Sequence, residues 1–310
     1  MNILIIADMP PRAAVNVKAA FPLDWTVNMV RADEAGDFLA EADVLIPEHV
    51  KIDAAFLKAA PRLKLVQTGA GYDNVDLAAC ASRGVFACNA AGVNAVAVAE
   101  HTLALMLCWF KNITYLDSFM EAGRDERELD YAGGELEGRT IGLVGLGAIG
   151  SRVARACAAL GMRVLAFSRS GRAAENVSAV SFERLLAESD VLSLHLPLND
   201  STRGLMNAER FAAMKPGALF VNTSRGGLVD EQALIAALKS GRLGGACLDV
   251  YAHEPLAPDS ELRRLPRVVL TPHTAGLPDG VKFHRKRYEF FVSNIRRVAE
   301  GKRPENLLNG

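Results

Sequence analysis

The sequence predicts an α/β protein with two doubly wound parallel sheets, and three observations carry that prediction. Short apolar strand runs alternate with helical segments along the whole chain. One of those strands runs directly into a G-x-G-x-x-G turn and then into a helix. With 310 residues, half of them apolar, the chain is long enough for two cores.

The first series of strands reads Asn2 to Ala7, Thr26 to Val30, Val44 to Pro47, Leu63 to Gln67 and Val85 to Cys88. Its opening strand is followed by Asp8-Met-Pro-Pro11 rather than a glycine turn, so this part has a task other than phosphate binding. The loop Gln67 to Asp76 offers backbone N–H groups at Ala70 and Gly71, a shape suited to an anion. A simple glycine turn explains the same residues, and the loop alone does not choose. The apolar run Ala95 to Phe110 is interrupted by Glu100-His101-Thr102 and reads as a buried helix capped by Asn94, not a membrane span.

The second series begins with the strand at Thr140. Gly145 permits the tight turn, Gly147 lets the backbone approach a pyrophosphate, and Gly150 lets the next helix pack on its strand. The helix runs from Ile149 to Leu160 and stops at Gly161. Strands follow at Arg163 to Phe167, Val191 to His195, Ala218 to Asn222, Ala246 to Val250 and Val268 to Leu270. Those six strands suit a complete Rossmann sheet. The second strand ends in Phe167-Ser168-Arg169-Ser170, without the carboxylate that usually meets the adenosine ribose. A hydroxyl and a guanidinium there suit a 2′-phosphate, so NADP(H) is the preferred cofactor, with NAD(H) also possible. A solvent-facing arginine and loose cofactor choice form the other reading of those residues.

Three later segments end strands and hold candidate chemical groups. Arg225, in Asn222-Thr-Ser-Arg225, has a planar fork that can pair both oxygens of a carboxylate, although an arginine taken alone is more often a surface ion pair. Glu254 follows Leu248-Asp-Val-Tyr251, and His273 stands in Thr271-Pro-His273. An imidazole titrates near neutral pH and can move the proton that a hydride transfer requires at oxygen, and a carboxylate on its other nitrogen would fix the tautomer. His253 and His195 compete for that role. The helix from Val281 to Glu300 carries an apolar stripe at Tyr288, Phe291, Ile295 and Val298, which packing explains. Its cluster Lys282, Arg285, Lys286 and Arg287 reads as a solvated face, with a second anionic group as the other reading.

Lys plus Arg number 35 against 36 for Asp plus Glu, so no field favours nucleic acid or an anionic membrane. The five cysteines form no C-x-x-C pair and read as reduced core residues of a cytoplasmic protein, without a metal site. The N-terminus lacks the basic start and cleavage site of a signal peptide.

In this order the motifs resemble the D-isomer-specific 2-hydroxyacid dehydrogenases, in particular the glyoxylate and hydroxypyruvate reductase branch. The likeness rests on the Gly-Ala-Gly-Tyr-Asp-Asn-Val-Asp loop, Gly92-Val-Asn94 with Val98-Ala-Glu100, and the Gly-Leu-Gly-Ala-Ile-Gly turn. It continues in His195-Leu-Pro-Leu198, Thr202-Arg-Gly204, Asn222-Thr-Ser-Arg225, Asp249-Val with Glu254-Pro255, Thr271-Pro-His273 and Asn306-Leu-Leu-Asn309.

The resemblance implies two Rossmann-like domains with a cleft between them: residues 1–95 with 285–310 for substrate, and 96–284 for NAD(P). It implies Arg225 as carboxylate binder, His273 as acid-base group, Glu254 as its partner, and Ala70 and Gly71 on the substrate carboxylate. It places the cofactor against Gly145, Gly147, Ala148, Ile149, Gly150, Ser168, Arg169, Ser170, Leu196, Pro197, Thr202, Thr223, Asp249, His273 and Gly276. It implies a homodimer acting on a small 2-oxo or 2-hydroxy acid. A phosphoglycerate dehydrogenase without a regulatory domain and a cofactor-sensing protein of the corepressor type are the alternatives. The segment Met120 to Asp130 lacks a tryptophan common in the family, and Leu277 to Phe283 replaces a more polar stretch, so the resemblance leaves the acid unnamed.

Overall fold

The computed structural model describes every residue except 49, 132, 169–174 and 281. The chain divides into two compact units, one of Met1–Asn94 with Leu277–Gly310 and one of Ala95–Gly276.

The first unit is a five-stranded parallel sheet of β1 (Asn2–Ile6), β2 (Thr26–Val30), β3 (Val44–Pro47), β4 (Leu65–Gln67) and β5 (Phe86–Cys88), in the order β2-β1-β3-β4-β5. Helices α1 (Pro11–Ala19), α2 (Gly36–Leu39), α3 (Ala54–Lys58) and α4 (Leu77–Ser82) connect the strands. Asp53 and Asp76 cap α3 and α4 by accepting from Phe56 N and Ala79 N, satisfying helix donors that otherwise have no partner. Side chains alternate across β1: Ile3 and Ile5 join one core and Leu4 and Ile6 another, so both faces of the sheet are covered. Leu63 and Lys64, part of the strand run expected from sequence, lie outside the ladder, and pairing starts at Leu65.

The second unit contains α5 (Ala95–Phe110), α6 (Ile113–Glu121) and a seven-stranded parallel sheet. Its strands are β6 (Thr140–Val144), β7 (Arg163–Phe167), β8 (Val177–Ala179), β9 (Val191–Leu194), β10 (Ala218–Asn222), β11 (Leu243–Leu248) and β12 (Val268–Leu270). The order is β12-β11-β10-β9-β6-β7-β8, with α7 (Gly150–Ala159), α8 (Phe182–Glu188), α9 (Ala208–Ala213) and α10 (Glu231–Lys239) among the connections. The strand order reverses at β6 and β9, the switch point at which a doubly wound sheet takes its ligand.

Sequence reading expected six strands here. The seventh, β8, is a three-residue edge strand with Val177 half-buried and Ser178 and Ala179 exposed, too short and too polar to register as a strand run. The strand run read from Ala246 in fact starts at Leu243, with Gly244 and Gly245 inside β11. Tight packing explains the glycines: a Cβ on Gly244 would stand 2.3 Å from the Gly217 carbonyl oxygen, and one on Gly245 would stand 2.1 Å from Trp109 Nε1.

The last described helix is α11 (Arg285–Ala299), which belongs to the first unit. Tyr288, Phe291, Ile295 and Val298 are all buried in its core. One basic residue departs from the expected solvated face. Arg287 is turned inward, where its Nη2 donates to Glu48 Oε1 at 2.5 Å and to Tyr288 Oη at 3.0 Å. The helical pattern showed a basic cluster, but only the end of β3, distant in sequence, could show that a carboxylate waits for one member of it.

Candidate active site

The glycine turn after β6 has the shape that a pyrophosphate needs. Gly145 takes φ +103°, a left-handed conformation, and a Cβ on it would stand 2.4 Å from the His195 carbonyl oxygen. A Cβ on Gly150 would meet the Gly145 carbonyl oxygen at 2.2 Å, so α7 can seat against the turn only with glycine there. Around Gly147 no described atom lies within 4 Å of the Cβ position, leaving that face open to an approaching ligand. Ala148 is exposed, Ile149 is half-buried, and the ten-residue α7 aims its first N–H groups at this opening. A dinucleotide phosphate fits this cradle.

Ser168 directly follows β7 and is half-buried. Arg169 and Ser170 lie outside the described residues. Leu196 is half-buried and Pro197 exposed in the loop after β9. The Thr202 hydroxyl donates to Pro197 O at 2.8 Å and accepts from Asn199 N at 2.9 Å, so it fixes the shape of that loop. The Thr223 hydroxyl is buried and lies 3.0 Å from that of Thr102 on α5.

Arg225, Asp249, Glu254 and His273 all stand in loops at the carboxyl ends of β10, β11 and β12, three neighbouring strands. Arg225 is half-buried, and its Nη1 donates to Ser224 O at 2.7 Å. Sequence spacing could not show whether Glu254 and His273 touch. They do: His273 Nδ1 lies 2.6 Å from Glu254 Oε2. A carboxylate at Nδ1 fixes the proton there, so acid-base exchange with a ligand falls to Nε2. The other carboxylate oxygen, Oε1, accepts from Tyr251 N at 3.1 Å, which orients Glu254 from its own loop. His273 has φ +52°, an uncommon conformation for a side chain with a Cβ.

Asp249 holds this turn. Its buried carboxylate accepts from the Thr271 hydroxyl at 2.6 Å, Thr274 N at 2.9 Å and Ala275 N at 3.0 Å, and its carbonyl accepts from His273 N at 2.9 Å. Gly276 follows, half-buried. Tyr251 adds a clamp, donating its hydroxyl to Thr271 O at 2.8 Å. His101 Nε2, on α5, stands 3.0 Å from Thr271 Oγ1 and 3.7 Å from Asp249 Oδ1.

His101 and Thr271 were not singled out from sequence as site residues. The available signal was the polar triplet Glu100-His101-Thr102 inside an apolar helix, where Thr102 and His101 are the members that reach the strand-end loops.

The competing histidines are placed elsewhere. The His195 ring sits beneath the glycine turn with Nε2 at 3.0 Å from Ser193 Oγ and Nδ1 buried without a partner, and burial pushes its pKa down to about 4. It is therefore neutral at working pH. His253 is exposed. Burial raises the Cys80 thiol to about 11 and those of Cys88 and Cys157 to about 12, which leaves them unreactive core side chains.

In the first unit, the loop after β4 turns its carbonyls toward the segment after β5. Gly69 O accepts from Ala90 N at 2.8 Å and Ala70 O accepts from Asn89 Nδ2 at 2.9 Å. Because N–H and C=O point oppositely across a trans peptide, the Ala70 and Gly71 N–H groups face away from that segment. Neither donates to another described residue. These two N–H groups are the donors on which the anion reading of the loop rests.

The switch-point crevice and its glycine turn define a nicotinamide-dinucleotide-binding α/β protein. Residues 103–275 match the model of the D-isomer specific 2-hydroxyacid dehydrogenase NAD-binding domain. The chain belongs to that family. It is 34% identical to a glyoxylate reductase of Korarchaeum cryptofilum over 99% of this chain and 96% of that one. It is 42% identical to a D-3-phosphoglycerate dehydrogenase of Archaeoglobus fulgidus over 75% of this chain, and the match spans 45% of that longer relative. The crystal structure of an NADPH-dependent glyoxylate/hydroxypyruvate reductase of Sinorhizobium meliloti, in complex with NADP and malonate, superposes with a TM-score of 0.87. That match has 27% identity and covers 99% of this chain and 96% of that one. Among the described residues no helix is long and apolar enough to cross a membrane.

Proposed function

We propose that this protein reduces a small 2-oxo acid of the glyoxylate or hydroxypyruvate type to the D-2-hydroxy acid, with NADPH preferred. The single observation that carries the reading is the 2.6 Å pair between His273 and Glu254, standing with Arg225 at the strand ends that follow the dinucleotide turn. The nicotinamide, when bound in its reduced form, supplies the hydride. Arg225 pairs with the substrate carboxylate and sets its orientation. In the first unit the paired N–H groups of Ala70 and Gly71 serve as carboxylate donors. Protonated His273 donates from Nε2 to the carbonyl oxygen, and Glu254 steadies the imidazolium as it forms. Asp249 and the Thr271 hydroxyl hold the His273 turn in place, because a misplaced imidazole loses the near-attack geometry that supplies roughly 7–11 kcal/mol in favourable cases.

NADPH preference rests on the absence of a carboxylate after β7, where Ser168 and Arg169 stand instead. Ser168→Asp combined with Arg169→Ala is expected to move the ratio of kcat/KM for the two cofactors toward NADH, and an unchanged ratio would sink the preference. The activity itself is tested by following NADPH oxidation with glyoxylate, hydroxypyruvate, phenylpyruvate and 3-phosphohydroxypyruvate. Turnover with the last alone favours a phosphoglycerate dehydrogenase role. Tight NADPH binding without any turnover favours a cofactor sensor.

The homodimer also belongs to this reading. Six of the nine exposed large apolar side chains among the described residues fall between Val96 and Tyr131, on α5, α6 and the segment after them. Such a concentration supports an association surface on these helices.

A further inference from the structure

We infer that Arg287 is a specificity-determining residue of the anion loop at Gly69–Gly71, contributing a second guanidinium that recognises the carboxylate of the 2-oxo acid. The inference rests on the proposed function and extends it to a residue on α11.

Its basis is an accounting of donors. A guanidinium carries five N–H protons in a fixed plane. On Arg287 the two engaged donors are both on Nη2, one to Glu48 at 2.5 Å and one to Tyr288 at 3.0 Å. Nε is buried and has no partner, and Nη1 donates to no described residue. A buried donor left unmet is costly unless a ligand completes it, and the Nη1 donors remain for the same ligand.

Nη1 stands at the loop. It lies 3.5 Å from the Cβ position of Gly69, the residue immediately before the two outward N–H groups of Ala70 and Gly71. The side chain retains 14% exposure, so it is anchored without being sealed off. Its plane is further fixed by the Tyr288 and Phe291 rings, whose centroids lie 5.0 and 5.6 Å from its central carbon. Glu48 engages Nη2 alone. The pair therefore holds the guanidinium in place while leaving donors for a second anion, the arrangement expected of a preorganised binding group.

A merely structural ion pair would be preserved by lysine and made dispensable by removing both charges together. The test therefore compares Arg287→Lys with the double variant Arg287→Met and Glu48→Gln, which leaves no buried charge alone. Titration calorimetry with oxalate on the NADP-loaded protein gives carboxylate binding without turnover, and steady-state kinetics with glyoxylate gives KM and kcat. Both variants are expected to weaken oxalate and raise the glyoxylate KM by tenfold or more, with kcat within a fewfold of wild type and NADPH binding unchanged. Wild-type oxalate affinity in the double variant, or in the lysine variant, overturns the inference. So does a loss that extends equally to NADPH binding and thermal stability, since that is the signature of a packing role. If the wild-type protein reduces no 2-oxo acid, the proposed function fails, while the oxalate titration still decides the role of Arg287.

Discussion

The 2.6 Å approach of His273 Nδ1 to Glu254 Oε2 is assembled from parts that each have a local cause. Tyr251 N orients the carboxylate, and Asp249 anchors the turn on which the imidazole stands. His273→Ala is expected to lower kcat by a hundredfold to ten-thousandfold while leaving NADPH affinity, read by fluorescence titration, near its original value. Near-normal turnover would mean that another group moves the proton. The identity of these residues was legible in sequence because each ends a strand of a parallel sheet, where ligands bind. Their contact was not, since 19 positions separate them and nothing in the spacing fixes the path between. Arg287 shows the opposite case: the basic residues just before it, Arg285 and Lys286, are exposed, and its partner Glu48 lies 239 positions away.

Among the elements, the turn between β6 and α7 depends on what lies beneath it. His195 supplies the carbonyl that forbids a side chain at Gly145, and its half-buried ring, with Nδ1 shielded from solvent, is neutral. The folded-state pKa of about 4 lies below the ordinary 6.5, so the unfolded chain binds the extra proton first as pH falls. This residue therefore costs no stability above pH 6.5 and progressively more below it, on the order of 3 kcal/mol by pH 4. His195→Gln is expected to flatten the fall of Tm between pH 6.5 and 4.5 relative to wild type. Parallel curves for the two proteins would remove His195 from the acid response. Most strands were readable from apolar runs, and the exceptions have physical reasons. β8 is short and at an edge, and the glycines of β11 are required by Gly217 and Trp109 packed against them, which no local propensity reports.

For the whole molecule, the proposed homodimer makes a simple demand on mass. A monomer weighs 33.3 kDa, and light scattering is expected to give twice that. Leu107 on α5 and Met120 on α6 are 38% and 64% exposed, and replacing both with glutamate is expected to shift the population to monomer by placing charge in an apolar interface. A dimer of undiminished stability in that variant would show that another surface joins the subunits.

The sequence alone determined the alternation of strands and helices, the dinucleotide turn and the list of residues able to bind a carboxylate or carry a proton. These follow from local rules: side-chain periodicity, glycine's freedom at positive φ and the chemistry of each functional group. Only the tertiary structure decided which of those groups meet. Glu254 reaches His273, Asp249 gathers the following turn, His101 joins it from α5, and Glu48 draws Arg287 inward. Such pairings depend on strand order and on how each loop closes, which are properties of the packed sheet and not of any stretch of chain.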